Sequence, residues 1–178
     1  MISKIKEHPQ LKPFIQRTCS ENEVSVTMRA DISQSDFLVL KVDNYYNSLN
    51  LGHRRKTPPS VDCLVPLKCS DDAFVIYLIE LKNIKSPKGF TIKNIHNKFK
   101  VTIEHFMSQQ FNGIFLDPGY RVKKLMLYFV TNPYRLSSMS HRREGTKMDA
   151  LLARSVFRFK GKRYQLQQEL PNPVIETC

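Results

Sequence analysis

Apolar residues along this chain fall into two rhythms, one helical and one strand-like. Val39, Val42, Tyr46 and Leu49 recur at 3-4-3 spacing, which predicts a helix from about Ser35 to Asn50. Ser35 or Asp36 can cap its start and Gly52 stops it. Ile92, Ile95, Phe99, Ile103 and Phe106 share one face of a longer helix predicted from about Thr91 to Phe111. Residues 61–69 and 73–82 are instead dense in Val, Ile, Leu, Phe and Tyr, and Ser70-Asp71-Asp72 separates them as the turn of a hairpin. KKLMLYFVT (123–131) reads as a strand too apolar to have a solvent face. Weaker signals predict a helix over 3–18 interrupted by Pro9 and Pro13, a strand over 24–30, a loop at NGIFLDPGY and a short helix near 147–155. VFRFKGKRYQL predicts a terminal β-hairpin turning at Lys160-Gly161. The order helix, strand, strand, helix, strand implies an α/β or α+β domain around a mixed sheet. No repeat or internal boundary divides residues 1–178.

The hairpin strands carry charges where the pattern asks for core. If they turn about Asp71, opposed residues have numbers summing to 142, so Asp62 faces Glu80 and Ser60 faces Lys82. Opposed residues share a face with Cβ atoms about 5 Å apart, and residues two apart on a strand share it as well. Asp62, Glu80 and Lys82 then form one cluster. Two carboxylates that close repel unless a cation lies between them. Hard oxygen ligands with open positions suit Mg²⁺, which keeps waters and engages phosphates. A lysine beside it can position a water and offset developing negative charge. The simpler reading is a strand-end ion pair. With 16 acids and 17 lysines, about one or two acid-x-Lys triplets arise by chance, so weight falls on the register and the apolar setting.

Charge sharpens the functional class. Twenty-eight Lys and Arg against 16 Asp and Glu leave a formal +12, a surface that attracts polyanions, nucleic acid above all. Cys19, Cys63, Cys69 and Cys178 form no CxxC pair, and Cys63 and Cys69 on one strand lie too far apart to bond each other. Reduced thiols and a cytoplasmic protein are therefore expected. The opening MISKIKEHPQLKPF has no apolar signal-peptide core, and no apolar run approaches membrane-spanning length.

Asp62, then seventeen residues, then Glu80-Leu81-Lys82, set in a helix–hairpin–helix–strand order, resembles the PD-(D/E)xK superfamily of restriction-endonuclease-like phosphodiesterases. The resemblance covers roughly residues 35 to 131, leaving 132–178 as a C-terminal extension. It implies an αβββαβ core and an Mg²⁺-dependent endonuclease, with Mn²⁺ able to substitute, acting on DNA more than RNA. Asp62, Glu80 and the Leu81 carbonyl would be the metal ligands and Lys82 the catalytic lysine. The residue before Asp62 is Val61, with the prolines at 58 and 59, a departure from the motif's first letter. A further acid from the preceding helix is common in the superfamily, and Asp43, or less readily Asp36, is the candidate.

Nucleic-acid contacts are expected from His53, Arg54, Arg55 and Lys56, from Arg142 and Arg143, and from Lys98 or Gln109 on the wet flank of the long helix. The hairpin tip adds Lys160, Lys162 and Arg163 beside Tyr164, a combination suited to nucleic acid or to a second subunit of a homodimer. The competing expectation is a nucleic-acid-binding module without catalysis, or a structural subunit of a larger nucleoprotein assembly, in which the charge cluster is only an ion pair.

Overall fold

The computed structural model describes residues 1–49, 57–83, 90–131 and 147–178. In chain order these form α1 (Ile2–Glu7), a 3-10 turn (Lys12–Phe14), β1 (Ile15–Gln16), β2 (Cys19–Glu21), β3 (Val24–Met28), β4 (Val39–Lys41) and α2 (Val42–Ser48). There follow β5 (Cys63–Lys68), β6 (Ala73–Lys82), α3 (Ile92–Val101), a π-helical continuation (Thr102–Gln110), α4 (Asn112–Phe115) and β7 (Arg121–Thr131). The chain closes with α5 (Lys147–Arg154), β8 (Val156–Phe159), β9 (Lys162–Glu169) and β10 (Val174–Ile175).

A mixed seven-stranded sheet runs in the order β1-β4-β5-β6-β7-β9-β8. Strands β5 and β6 pair antiparallel from Cys63↔Ile79 to Lys68↔Phe74, so their numbers sum to 142, the register expected from a turn about Asp71. Parallel neighbours β6 and β7 then place Glu80 beside Phe129 and Lys82 beside Thr131. All but the last residue of β6 is buried, because both faces of the sheet are covered. One face packs under α1 and α3 through residues that include Ile5, Leu78, Phe99, Phe106 and Phe129. The other carries a three-stranded sheet, β10-β3-β2, packed through Cys19, Val26, Val65, Tyr77, Ile79 and Ile175.

Several sequence expectations need correction. The helix expected over 35–50 is strand β4 followed by the shorter α2. Leu38, Val39 and Leu40 are all buried, and Leu40 pairs with Leu64, so sheet pairing overrides the helical spacing. The helix expected over 3–18 ends at Glu7 and gives way to the 3-10 turn with Pro13 in it. The expected loop at NGIFLDPGY opens with α4. Strand β7 is wet at its start, where Arg121, Lys123 and Lys124 are exposed around the buried Val122, and has no exposed residue from Leu125 onward. The terminal hairpin turns as expected, with Phe159 opposite Lys162 and Lys160 and Gly161 both at positive φ, as a two-residue turn requires. It is also part of the main sheet, because β9 pairs parallel with β7.

The cysteines depart furthest from expectation. Cys19 is bonded to Cys63 and Cys69 to Cys178, and among the described residues none is free. Spacing along one strand excluded only the Cys63–Cys69 pair. The partners come from the small sheet and the C-terminus, which pack on the far face. With the thiols paired, the ground for a cytoplasmic expectation goes too, since disulfides persist in oxidising settings. No helix among the described residues is long and apolar enough to cross a membrane.

Candidate functional site

Asp62 lies one residue before β5, and three contacts fix it. The Val42 N–H donates to the Asp62 carbonyl at 3.1 Å, holding the residue against α2. The Val61 N–H donates to Thr102 Oγ1 at 3.1 Å, and that hydroxyl donates to the Lys98 carbonyl at 2.9 Å. Thr102 thus bridges α3 to the segment leading into Asp62, at the point where the helix widens to π-helical spacing. Finally, Asp62 Oδ2 accepts the Leu81 N–H at 2.6 Å.

Glu80 projects from β6 to the same place. Lys98 Nζ is 2.7 Å from Glu80 Oε1 and 3.6 Å from Asp62 Oδ1, so both carboxylates converge on one cation. Asp62 and Glu80 are 3% and 1% exposed, and Glu80 Oε2 has no hydrogen-bond partner. Burial pushes the Glu80 carboxyl up to about 8, helped by repulsion from Asp62, against the pull of Lys98 and Lys82. Burial raises Asp62 to about 6, with Lys98 and the Leu81 N–H opposing and Glu21 and Asp43 adding to the rise. For Lys98 burial favours the neutral form, yet Glu80 and Asp62 together hold its ammonium above the ordinary lysine value.

Lys82 shares the parity of Glu80 and is half-buried. It attracts Glu80 through space without an ion pair to it. Asp43, in the first turn of α2, is close enough for its charge to raise Asp62, while its nearest cation is Lys41, at 3.9 Å. Asp36 instead sits beside strand β5, where its carbonyl accepts the Lys68 N–H at 2.7 Å. Lys98, expected as a phosphate contact, is the counter-ion of the pair. Gln109 is exposed eleven residues further along, in the π-helical continuation, about three turns from Lys98.

Glu21 is the acid that sequence reasoning passed over. It ends β2 at a two-residue turn, Asn22-Glu23, with positive φ at both positions. Two tethers bring this turn to the site. The Cys19–Cys63 disulfide joins β2 to the residue after Asp62, and Asn83 Nδ2, just past Lys82, donates to the Asn22 carbonyl at 3.0 Å. The charge of Glu21 is felt at both Asp62 and Lys98.

His53, Arg54, Arg55, Lys56, Arg142 and Arg143 lie outside the described residues. At the hairpin tip Lys160 Nζ bonds the Tyr120 carbonyl at 3.1 Å, and Lys162 and Arg163 are exposed. Arg163 stands directly opposite Arg158, also exposed, a like-charge pair that the sequence reading did not single out. Glu80 lies level with Phe129 and hence with Gln168, so Arg163 is about 16 Å back along the strands and two strands across. The tip is a surface separate from the carboxylate pair.

Among the described residues no three His, Cys, Asp or Glu side chains cluster tightly enough to hold a metal by themselves. Two convergent carboxylates with an unpartnered Glu80 oxygen nevertheless fit an ion such as Mg²⁺, which keeps several waters. No family profile, curated protein or solved structure matches this chain.

Proposed function

We propose that this chain is a phosphodiesterase that depends on a divalent cation, and within that class a nuclease of the PD-(D/E)xK type acting on DNA. The observation that carries the reading is the convergence of Asp62 and Glu80, from the two strands of one hairpin, on a single cation position with an unused Glu80 oxygen. The order of elements supports it. Antiparallel β4, β5 and β6, then α3 and β7 parallel to β6, are compatible with the βββαβ part of that superfamily's core, with α2 lying between β4 and β5.

Asp62, Glu80 and the Leu81 carbonyl would hold Mg²⁺, with Mn²⁺ as a substitute. Such an ion lowers the pKa of a coordinated water and offsets charge on a phosphate. The chain's own residues prepare the site. Thr102 and the Leu81 N–H fix Asp62, and burial makes both carboxylates costly to ionise without a cation beside them. Lys82, half-buried at the end of β6, would orient an attacking water and hold positive charge near the phosphate. The excess of Lys and Arg supplies backbone affinity without sequence preference.

One observation favours the second reading, a nucleic-acid-binding module without catalysis: Lys98 already neutralises part of the carboxylate pair. Cleavage of plasmid and single-stranded DNA in Mg²⁺ or Mn²⁺ separates the two. The nuclease reading expects cleavage by the wild type and loss of about 10²-fold or more in Glu80→Ala and Lys82→Ala. Salt-sensitive binding with no cleavage by the wild type, or equal cleavage by the variants, sinks it.

A further inference from the structure

Lys98 occupies the position that a bridging cation would take. Its ammonium lies 2.7 Å from Glu80 Oε1 and 3.6 Å from Asp62 Oδ1, and a cation bridging those two oxygens would compete with it for the same space. It is nevertheless an incomplete partner. One positive charge faces two carboxylates, the contact to Asp62 is long, and Glu80 Oε2 receives no donor although an ammonium has three. Asp43 and Glu21 add negative charge around the same point. A divalent ion would balance both carboxylates and use the orphaned oxygen.

The side chain is also able to leave. The Lys98 side chain is 22% exposed where the side chains of Asp62 and Glu80 are 5% and 1%, so of the three it is the one that reaches solvent. Its backbone is fixed in α3, with its carbonyl engaged by Thr102, so movement is confined to a flexible four-carbon stem. An acid waits at the mouth: exposed Glu21, on the turn tethered by Cys19–Cys63 and Asn83, already attracts the ammonium without an ion pair to it.

From this geometry, and resting on the two-carboxylate cation site proposed above, we infer that Lys98 is an exchangeable counter-ion. Its ammonium holds Asp62 and Glu80 together in the metal-free protein. When a divalent cation binds, it swings out toward Glu21, still protonated, where it meets the phosphates of bound nucleic acid. Lys98 is thus a positioning residue that competes with the metal first and helps to hold substrate afterwards.

The test is calorimetric titration of Mg²⁺ and of Mn²⁺ into the full chain as wild type, Lys98→Met and Glu80→Gln. The expected result is binding to the wild type, binding about tenfold tighter to Lys98→Met because the competitor is gone, and none to Glu80→Gln. Equal or weaker binding by Lys98→Met overturns the exchange and leaves the cation site standing. Absence of binding by both wild type and Lys98→Met, or unchanged binding by Glu80→Gln, overturns the exchange and the cation site together. If Lys98→Met does not fold, the ¹³Cε resonance of Lys98 in the wild type decides. Movement on metal addition supports exchange, and a stationary resonance while metal binds overturns it.

Discussion

The Asp62 carboxylate accepts the backbone N–H of Leu81 at 2.6 Å, closing the β5–β6 hairpin just beyond its last pair, Cys63 with Ile79. The bond does two things at once: it satisfies a buried N–H and it aims the carboxylate. Asp62→Ala therefore orphans the Leu81 N–H and is expected to cost about 1–3 kcal/mol. Asp62→Asn retains an acceptor of the same shape, removes the repulsion with Glu80 and is expected to lose little stability while losing cleavage. Urea unfolding of the two variants checks this, with unchanged m-values as the condition for reading the midpoints. Equal destabilisation by Ala and Asn would show that the charge matters and the hydrogen bond does not.

Burial of Glu80 has a consequence for pH. Its folded-state pKa, pushed up to about 8, and that of Asp62, raised to about 6, lie above ordinary carboxylate values near 4. Between pH 5 and 8 the folded state therefore holds protons that the unfolded chain has released, and stability falls as pH rises through this window. The metal-free wild type should lose Tm from pH 5 to 8, and Glu80→Gln should lose distinctly less. Added Mg²⁺ should restore the wild type most strongly at the upper end. Parallel Tm profiles for the two proteins would place Glu80 at an ordinary pKa.

The disulfides close loops of 44 and 109 residues. Thiol titration of the unfolded, unreduced protein should find no free thiol. For the Cys19–Cys63 bridge the loss of denatured-state entropy corresponds to about 4 kcal/mol, so Cys19→Ser with Cys63→Ser should destabilise by about 2–5 kcal/mol. Since that bridge also tethers the turn bearing Glu21, the same double variant should bind Mg²⁺ differently. Removing Cys69–Cys178, far from Glu21, should lower stability alone.

Arg158 and Arg163, opposed on the terminal hairpin and both exposed, repel each other unless an anion lies between them. DNA binding measured between 50 and 200 mM salt should show a steep dependence on salt. Arg158→Gln and Arg163→Gln should each reduce the slope of log K against log salt by about 1 while leaving sequence preference untouched. Slopes equal to that of the wild type would remove the tip from the nucleic-acid surface.

What could be read from sequence follows the range of the interactions involved. The β5–β6 register depends on one short turn and two apolar strands, so a sum of residue numbers was enough to bring Asp62 opposite Glu80. The terminal hairpin was legible for the same reason, through Lys160-Gly161. Val39 was misassigned because helical spacing and a fully buried strand make the same demand on a short apolar run, and only pairing with β5 decides between them. Lys98 was recognised as lying near the site, but its partner was not, since that depends on how α3 crosses the sheet. Glu21 and the disulfides were hidden more deeply. They depend on a small sheet made from both ends of the chain, in which β10 pairs with β3 across more than 140 residues.

Cys63 opens β5 and Cys69 lies just past its end, one bonded to Cys19 and the other to Cys178. A pull applied between residues 1 and 178 would then bypass most of the fold. Tension would pass from Cys19 across to Cys63, along β5, and from Cys69 out to Cys178, so that single strand would carry the whole load. The oxidised chain could reach an end-to-end length of only roughly 90–100 Å, against about 600 Å for the reduced one. Mechanically, β6, α3 and the carboxylate pair would ride as passengers on a short, doubly clamped cord.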